Sequence, residues 1–236
     1  MTGPGDSARR AELVAALAEV RRVIHDAATA VERDPRSVTL VAVTKTFPVA
    51  DAAILAELGV LDLGESRDQE AKPKALELPE PRWHFVGRLQ TNKCRSVAGY
   101  SSAVHTVDRA AVADALAAGV LRAERPPLRA LIQVSLDGDP ARGGTPASGV
   151  AALAEHIDAI PELMLSGVMA VAPRDSVPDE AFDALAAIAA KLRAEHPDAS
   201  WISAGMSADL VPAIRNGATH VRVGSALLGR REPVVG

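Results

Sequence analysis

Eight short apolar segments recur along the chain, each followed by a stretch of helical periodicity, and this alternation constrains the fold more than any other feature. The segments are Val38–Thr44, Val60–Leu63, Trp83–Val86, Ala103–Val107, Leu128–Val134, a strand within Leu163–Val171, Ser200–Ser203 and His220–Val223. Short runs rich in Val, Ile, Leu and Thr read as buried strands rather than helices. Helices are expected at Ala8–Glu32 (N-cap Ser7, stop at Asp34-Pro35), at Asp51–Leu58 with Gly59 as its cap, and through Asp68, Glu70 and Lys74, where Pro73 must kink or end it. Further helices are expected after Gln90, at Arg109–Ala118 with Asp108 as cap, at Ser148–Ala159, at Ala181–Glu195, and at Ala208–Asn216 with Gly217 beyond.

Eight strands alternating with helices over 236 residues call for a single-domain α/β protein spanning 1–236, a (β/α)8 TIM-type barrel. An open doubly wound sheet competes, but it usually has fewer strands and a Gly-rich first turn. The first turn here, Thr44-Lys45-Thr46-Phe47-Pro48, has no glycine.

Composition narrows the function. A net charge of −4 gives no electrostatic footprint for nucleic acid. No apolar run reaches the roughly 18–20 residues that span a bilayer, and MTGPGDSARR has no signal-peptide core. The single cysteine, Cys94, excludes an internal disulfide and a cysteine-rich metal site. The expectation is a cytoplasmic protein without nucleic-acid or membrane partners, monomeric because no exposed apolar stripe stands out.

Barrels carry their chemistry at the C-terminal ends of the strands. Lys45 ends the first strand, where a lysine either snorkels to water or offers its amine to an aldehyde as a Schiff base. The segments after strands seven and eight, Ser203-Ala204-Gly205-Met206-Ser207 and Gly224-Ser225-Ala226, have the small residues and helix starts of a phosphate cup. Arg222 shares strand parity with His220 and Gly224; facing the mouth it seeks an acceptor, and a salt bridge to a strand-end carboxylate such as Glu65 is the plain alternative. An aldehyde-binding lysine, a phosphate cup and an inward arginine together fit pyridoxal 5′-phosphate, whose ring nitrogen is commonly met by Asp or Arg. His84, between Trp83 and Phe85, reads as a hydrogen-bonded structural histidine and Cys94 as an ordinary small residue. Gln90, Asn92 and Lys93 read as loop and cap chemistry.

The chain also resembles the YggS/PROSC-type pyridoxal phosphate homeostasis proteins. The strings are VAVTKTFP around Lys45, LGES at Leu63–Ser66, WHFVGRLQTNK at Trp83–Lys93, TVDR at Thr106–Arg109, GVMAV at Gly167–Val171, SAGMSADL from Ser203 and VRVGSALLG from Val221, an ordered match from about Leu40 to Arg230. The resemblance implies the barrel of the alanine racemase N-terminal domain (fold type III), without that enzyme's C-terminal β-domain. It implies a Schiff base on Lys45, phosphate contacts at Ser203, Met206, Gly224 and Ser225, and Arg222 at the pyridine nitrogen. Ser66 stands where the family usually has Asn, and Arg142 where it often has Lys.

Three functions compete: a carrier of pyridoxal phosphate in vitamin B6 homeostasis serving apo-enzymes as recipients, an amino-acid racemase, and a cofactor-free Schiff-base lyase of phosphorylated sugars. Racemisation needs a base on each face of a planar intermediate. The chain ends at Gly236, soon after strand eight, and its sole tyrosine, Tyr100, falls in the loop before strand four, the wrong end for chemistry. The carrier without robust catalysis is therefore the favoured reading, with a weak racemase as the alternative.

Overall fold

The computed structural model describes residues 4–139 and 141–229. Its strands are β1 Thr39–Val43, β2 Asp62–Glu65, β3 Arg82–Phe85, β4 Ala103–Val107, β5 Leu128–Ser135, β6 Leu163–Met169, β7 Trp201–Ser203 and β8 His220–Val223. Each pairs in parallel with the next, and β8 returns to β1 with Val41 opposite Arg222, so the barrel closes. A two-residue strand, Thr145–Pro146, adds to the end of β5.

Nine helices among the described residues surround the barrel: α1 Pro4–Thr29, α2 Val49–Glu57, α3 Asp68–Glu77, α4 Thr91–Ala98, α5 Ala110–Arg122, α6 Val150–Asp158, α7 Pro178–Glu195, α8 Leu210–Arg215 and α9 Ser225–Leu228. None is long and apolar enough to cross a membrane. Strand residues alternate between the two faces. The outward set, including Leu63, Phe85, Val104, Ile132, Val168 and Val221, packs with Leu13, Leu55, Leu116, Ile157, Phe182 and Ile214 from the helices in one continuous apolar layer.

Several local expectations are corrected. Helix α1 begins at Pro4, so Ser7 is inside it, and Asp34 instead accepts the Arg36 N–H to cap the short 3-10 turn Pro35–Ser37. Pro73 does not end α3, which continues to Glu77; its one lost hydrogen bond is offset by burial of Ala71, Lys74 and Ala75 on either side of it. Asp108 does not cap α5, whose N-cap is Arg109 with no side-chain bond. Its carboxylate meets the Arg109 guanidinium, and its carbonyl accepts from Thr145 Oγ1. Helix α8 is shorter than the periodicity implied, because residues 207–209 form a turn in which Asp209 binds the Met206 N–H.

The inward set combines buried apolar residues, Val41, Leu131 and Met169, with a line of polar ones. Asp62 Oδ1 lies 2.9 Å from His84 Nε2, His84 Nδ1 2.8 Å from His105 Nε2, His105 Nδ1 2.8 Å from Ser203 Oγ, and Arg222 Nη1 2.7 Å from the same Oγ. An ionised Asp62 only accepts and Arg222 only donates. Asp62 therefore accepts from His84 Nε2–H and Ser203 Oγ from Arg222, while the directions of the His84–His105 and His105–Ser203 bonds follow the ring tautomers. Burial alone would raise the Asp62 pKa, but hydrogen bonds from His84 and Arg82 outweigh it and hold the carboxylate well below its usual range. Burial, reinforced by His84 and Arg222, pushes the His105 pKa well down, and burial brings His220 to about 3.

Two predictions follow from these positions. Gly167 has φ 146° at a bulge in the β5–β6 ladder, and a Cβ there would stand 1.9 Å from the Trp201 carbonyl oxygen. Gly167→Ala should lower unfolding free energy by about 3 kcal/mol or more in urea denaturation; a loss within 0.5 kcal/mol, roughly the range of a harmless surface change, contradicts the close approach. His105 and His220 stay neutral when folded but take up protons below about pH 6.5 when unfolded. The unfolded state then binds more protons, so stability is full above that pH and falls as pH drops, by at most about 1.4 kcal/mol per pH unit per histidine. Denaturation midpoints measured from pH 7 to 5 should fall, and less steeply in His105→Gln.

Candidate functional site

Because all eight strands run in the same direction, the loops at their C-terminal ends meet at one mouth. There β1 passes through buried Thr44 to Lys45, which is exposed and has no hydrogen-bond or ion-pair partner among the described residues. The turn presenting it is strained. Thr46 has φ 68°, a left-handed conformation costing a β-branched residue about 1–3 kcal/mol. Glu70 holds that turn by accepting the Thr46 N–H at 2.7 Å.

A second lysine anchors the loop. Lys74, from α3, is buried and donates to the Thr44 carbonyl at 2.8 Å and to Glu65 Oε1 at 2.6 Å, while Thr44 Oγ1 donates to the same carboxylate oxygen at 2.7 Å. Burial raises the Glu65 pKa against the pull of Lys74 and Thr44. Glu65, the carboxylate offered by sequence as a partner for Arg222, is thus committed to Lys74.

Arg222 is buried at the end of β8. Its Nη1 donates to Ser203 Oγ and its Nη2 to the Ala170 carbonyl at 2.9 Å, with no carboxylate in contact among the described residues. Burial lowers its pKa to about 10, so it stays charged at neutral pH. The adjoining turns lock together around it. The Gly205 carbonyl accepts the Arg222 N–H at 2.9 Å, and Gly205, at φ 86°, has no room for a Cβ against Ala213. Ser207 Oγ accepts from the Ala226 N–H and Ser225 Oγ, each at 3.2 Å. Gly224 lies against the Val43 carbonyl, two residues before Lys45.

The expected residues are therefore arranged at one end, though not equivalently. Ser203 is fully buried, with its hydroxyl shared between Arg222 and His105. Met206 is exposed and lines a cavity of about 980 Å³ formed with the loops after β5 and β6. Arg142 ties those loops together through the Val171 and Ala172 carbonyls and Asp137. Ser66 ends β2 at the same mouth, its backbone against Gly87. Gln90, Asn92 and Lys93 form the start of α4. Cys94 is buried, its thiol pushed up to about 11 by desolvation, and Tyr100 packs against the outer apolar layer.

Sequence reasoning missed Ser207, Lys74, Asp62 and His105. The first lay inside a quoted string without an assigned contact. Asp62 and His105 share the inward parity of their strands with His84 and Arg222, a period-2 signal that was available. Lys74 carried no signal, since its burial depends on how α3 docks. The mouth supplies what pyridoxal phosphate requires: a free amine, a buried cation and a pair of hydroxyls on joined turns.

The chain matches the family model for the alanine racemase N-terminal domain over residues 17–232. It is 47% identical over 206 residues to a pyridoxal phosphate homeostasis protein of Corynebacterium glutamicum, covering 84% of this chain and 93% of that one. The protein of the same name from Escherichia coli K12 is 36% identical, covering 92% and 95%. The structure of PipY from Synechococcus elongatus with PLP bound superposes with a TM-score of 0.76 at 30% identity, over 88% of this chain and 100% of that one. Alanine racemase of Corynebacterium glutamicum shares the fold at TM-score 0.69 and 18% identity, with 94% of this chain matching 62% of that enzyme. The chain belongs to the alanine racemase N-terminal domain family, within its branch of pyridoxal phosphate homeostasis proteins.

Proposed function

We propose that this chain binds pyridoxal 5′-phosphate at the C-terminal mouth of the barrel and acts in intracellular vitamin B6 homeostasis as a cytoplasmic, monomeric, single-domain carrier. Lys45 captures the aldehyde, Arg222 meets the pyridine nitrogen, and Ser203, Met206, Gly224 and Ser225 form the phosphate end, to which Ser207 is added here. The bound cofactor would supply an electrophilic aldehyde and an electron-withdrawing ring. The observation that carries the reading is the unpartnered Lys45 on a strained turn at the same mouth as a buried, charged Arg222. The name of the relatives from Corynebacterium glutamicum and Escherichia coli and the PLP-bound form of PipY support it.

The residues also support holding over turnover. Arg222 stays protonated, so it favours an unprotonated ring nitrogen and a weaker electron sink than an Asp partner would. Tyr100, the only tyrosine, lies in the layer outside the barrel rather than at the mouth. Recipients of the cofactor would be apo-enzymes that use it.

Purified protein incubated with pyridoxal phosphate and then freed of unbound cofactor by gel filtration should be yellow, and borohydride should fix the cofactor to the peptide containing Lys45. Lys45→Ala treated in the same way should lose both the retained colour and the fixation. A wild-type protein that leaves the column colourless sinks the binding reading, while rapid solvent deuterium exchange at Cα of an added amino acid sinks the carrier reading.

A further inference from the structure

We propose that the opposite, N-terminal mouth of the barrel is a second binding site, for a small monoanionic carboxylate. A cavity of about 290 Å³ opens there, remote from Lys45 and lined by the bottom of the polar interior. Its volume stands near the lower end of ligand pockets, about 300 Å³, which restricts the occupant to a small molecule. The proposal does not rest on the cofactor reading of the other mouth.

The charges in the wall do not cancel. Asp62 accepts from Arg82 at 2.7 Å and from His84 at 2.9 Å, so its charge is taken up. Arg129 has no carboxylate partner among the described residues; its guanidinium sits 4.9 Å from the centroid of the Trp201 ring. Two arginines against one aspartate leave one positive charge uncompensated, since burial holds His220 neutral. A half-buried guanidinium with free donors in a concave wall is matched by a carboxylate, whose two oxygens accept its forked N–H groups. Ser102 and Thr39 bring hydroxyls to the same wall. The aromatic surface is already used, because Trp201 also packs on His220 with centroids 3.9 Å apart. A compact anion therefore fits better than a flat ring that must stack.

Trp201 is one of only two tryptophans, and the other, Trp83, is buried with its indole N–H on the Leu78 carbonyl. Acetate is the probe, titrated into ¹⁵N-labelled protein against sodium chloride at matched ionic strength. The Trp201 indole signal, assigned by its loss in Trp201→Phe, should shift saturably with acetate only, while the Trp83 signal stays fixed. Arg129→Gln should weaken the apparent affinity at least tenfold with the spectrum of the folded protein retained. If that variant loses the folded spectrum, Arg129→Lys takes its place under the same criterion. No acetate-specific shift, an unchanged affinity in the arginine variant, or tighter binding of inorganic phosphate than of acetate would overturn the assignment.

Discussion

The arrangement of the barrel interior depends on how Arg222 is held. A guanidinium buried this deeply costs several kcal/mol unless its donors are met, and its contacts are a hydroxyl and a carbonyl, not a carboxylate. The hydroxyl of Ser203 accepts from Arg222 and also meets His105, which meets His84, which in turn donates to Asp62. One hydrogen-bonded line thus joins an ionised carboxylate near one mouth to the cation at the other. Removing any one member would leave a buried polar partner unsatisfied, at about 1–3 kcal/mol.

The same logic separates the two lysines near the mouth. Lys74 is buried and saturated by Glu65 and the Thr44 carbonyl, which fixes the end of β1 against β2. Lys45, one residue beyond Thr44, has no partner among the described residues, on a turn whose backbone is strained. The structural role falls to Lys74, and the amine of Lys45 is left free.

The strand count, the alternation with helices and the outer apolar layer were legible because period-2 and period-3.6 patterns survive in sequence whatever the final packing. His220–Val223 and Ala103–Val107 matched the observed strands residue for residue. Errors gathered at helix starts. Ser7 and Asp108 are good caps in isolation, yet α1 extends past the first and the second is drawn to Arg109 and Thr145. Pro73 was read as kinking or ending its helix because the cost of its missing N–H is local; the helix does not end there, since the burial that offsets that cost is tertiary.

By itself the sequence determined that eight strands would close with helices outside, and that Lys45, Arg222 and two small-residue turns would share one end, because parallel strands place all their C-termini together. Only the tertiary structure decided which polar residues would meet. Asp62, His84, His105, Ser203 and Arg222 are far apart in the chain. Their contacts exist because barrel closure and strand register bring one inward residue from each of five strands into line. The hydrogen-bonded line that results is a property of the assembled interior that no local pattern encodes.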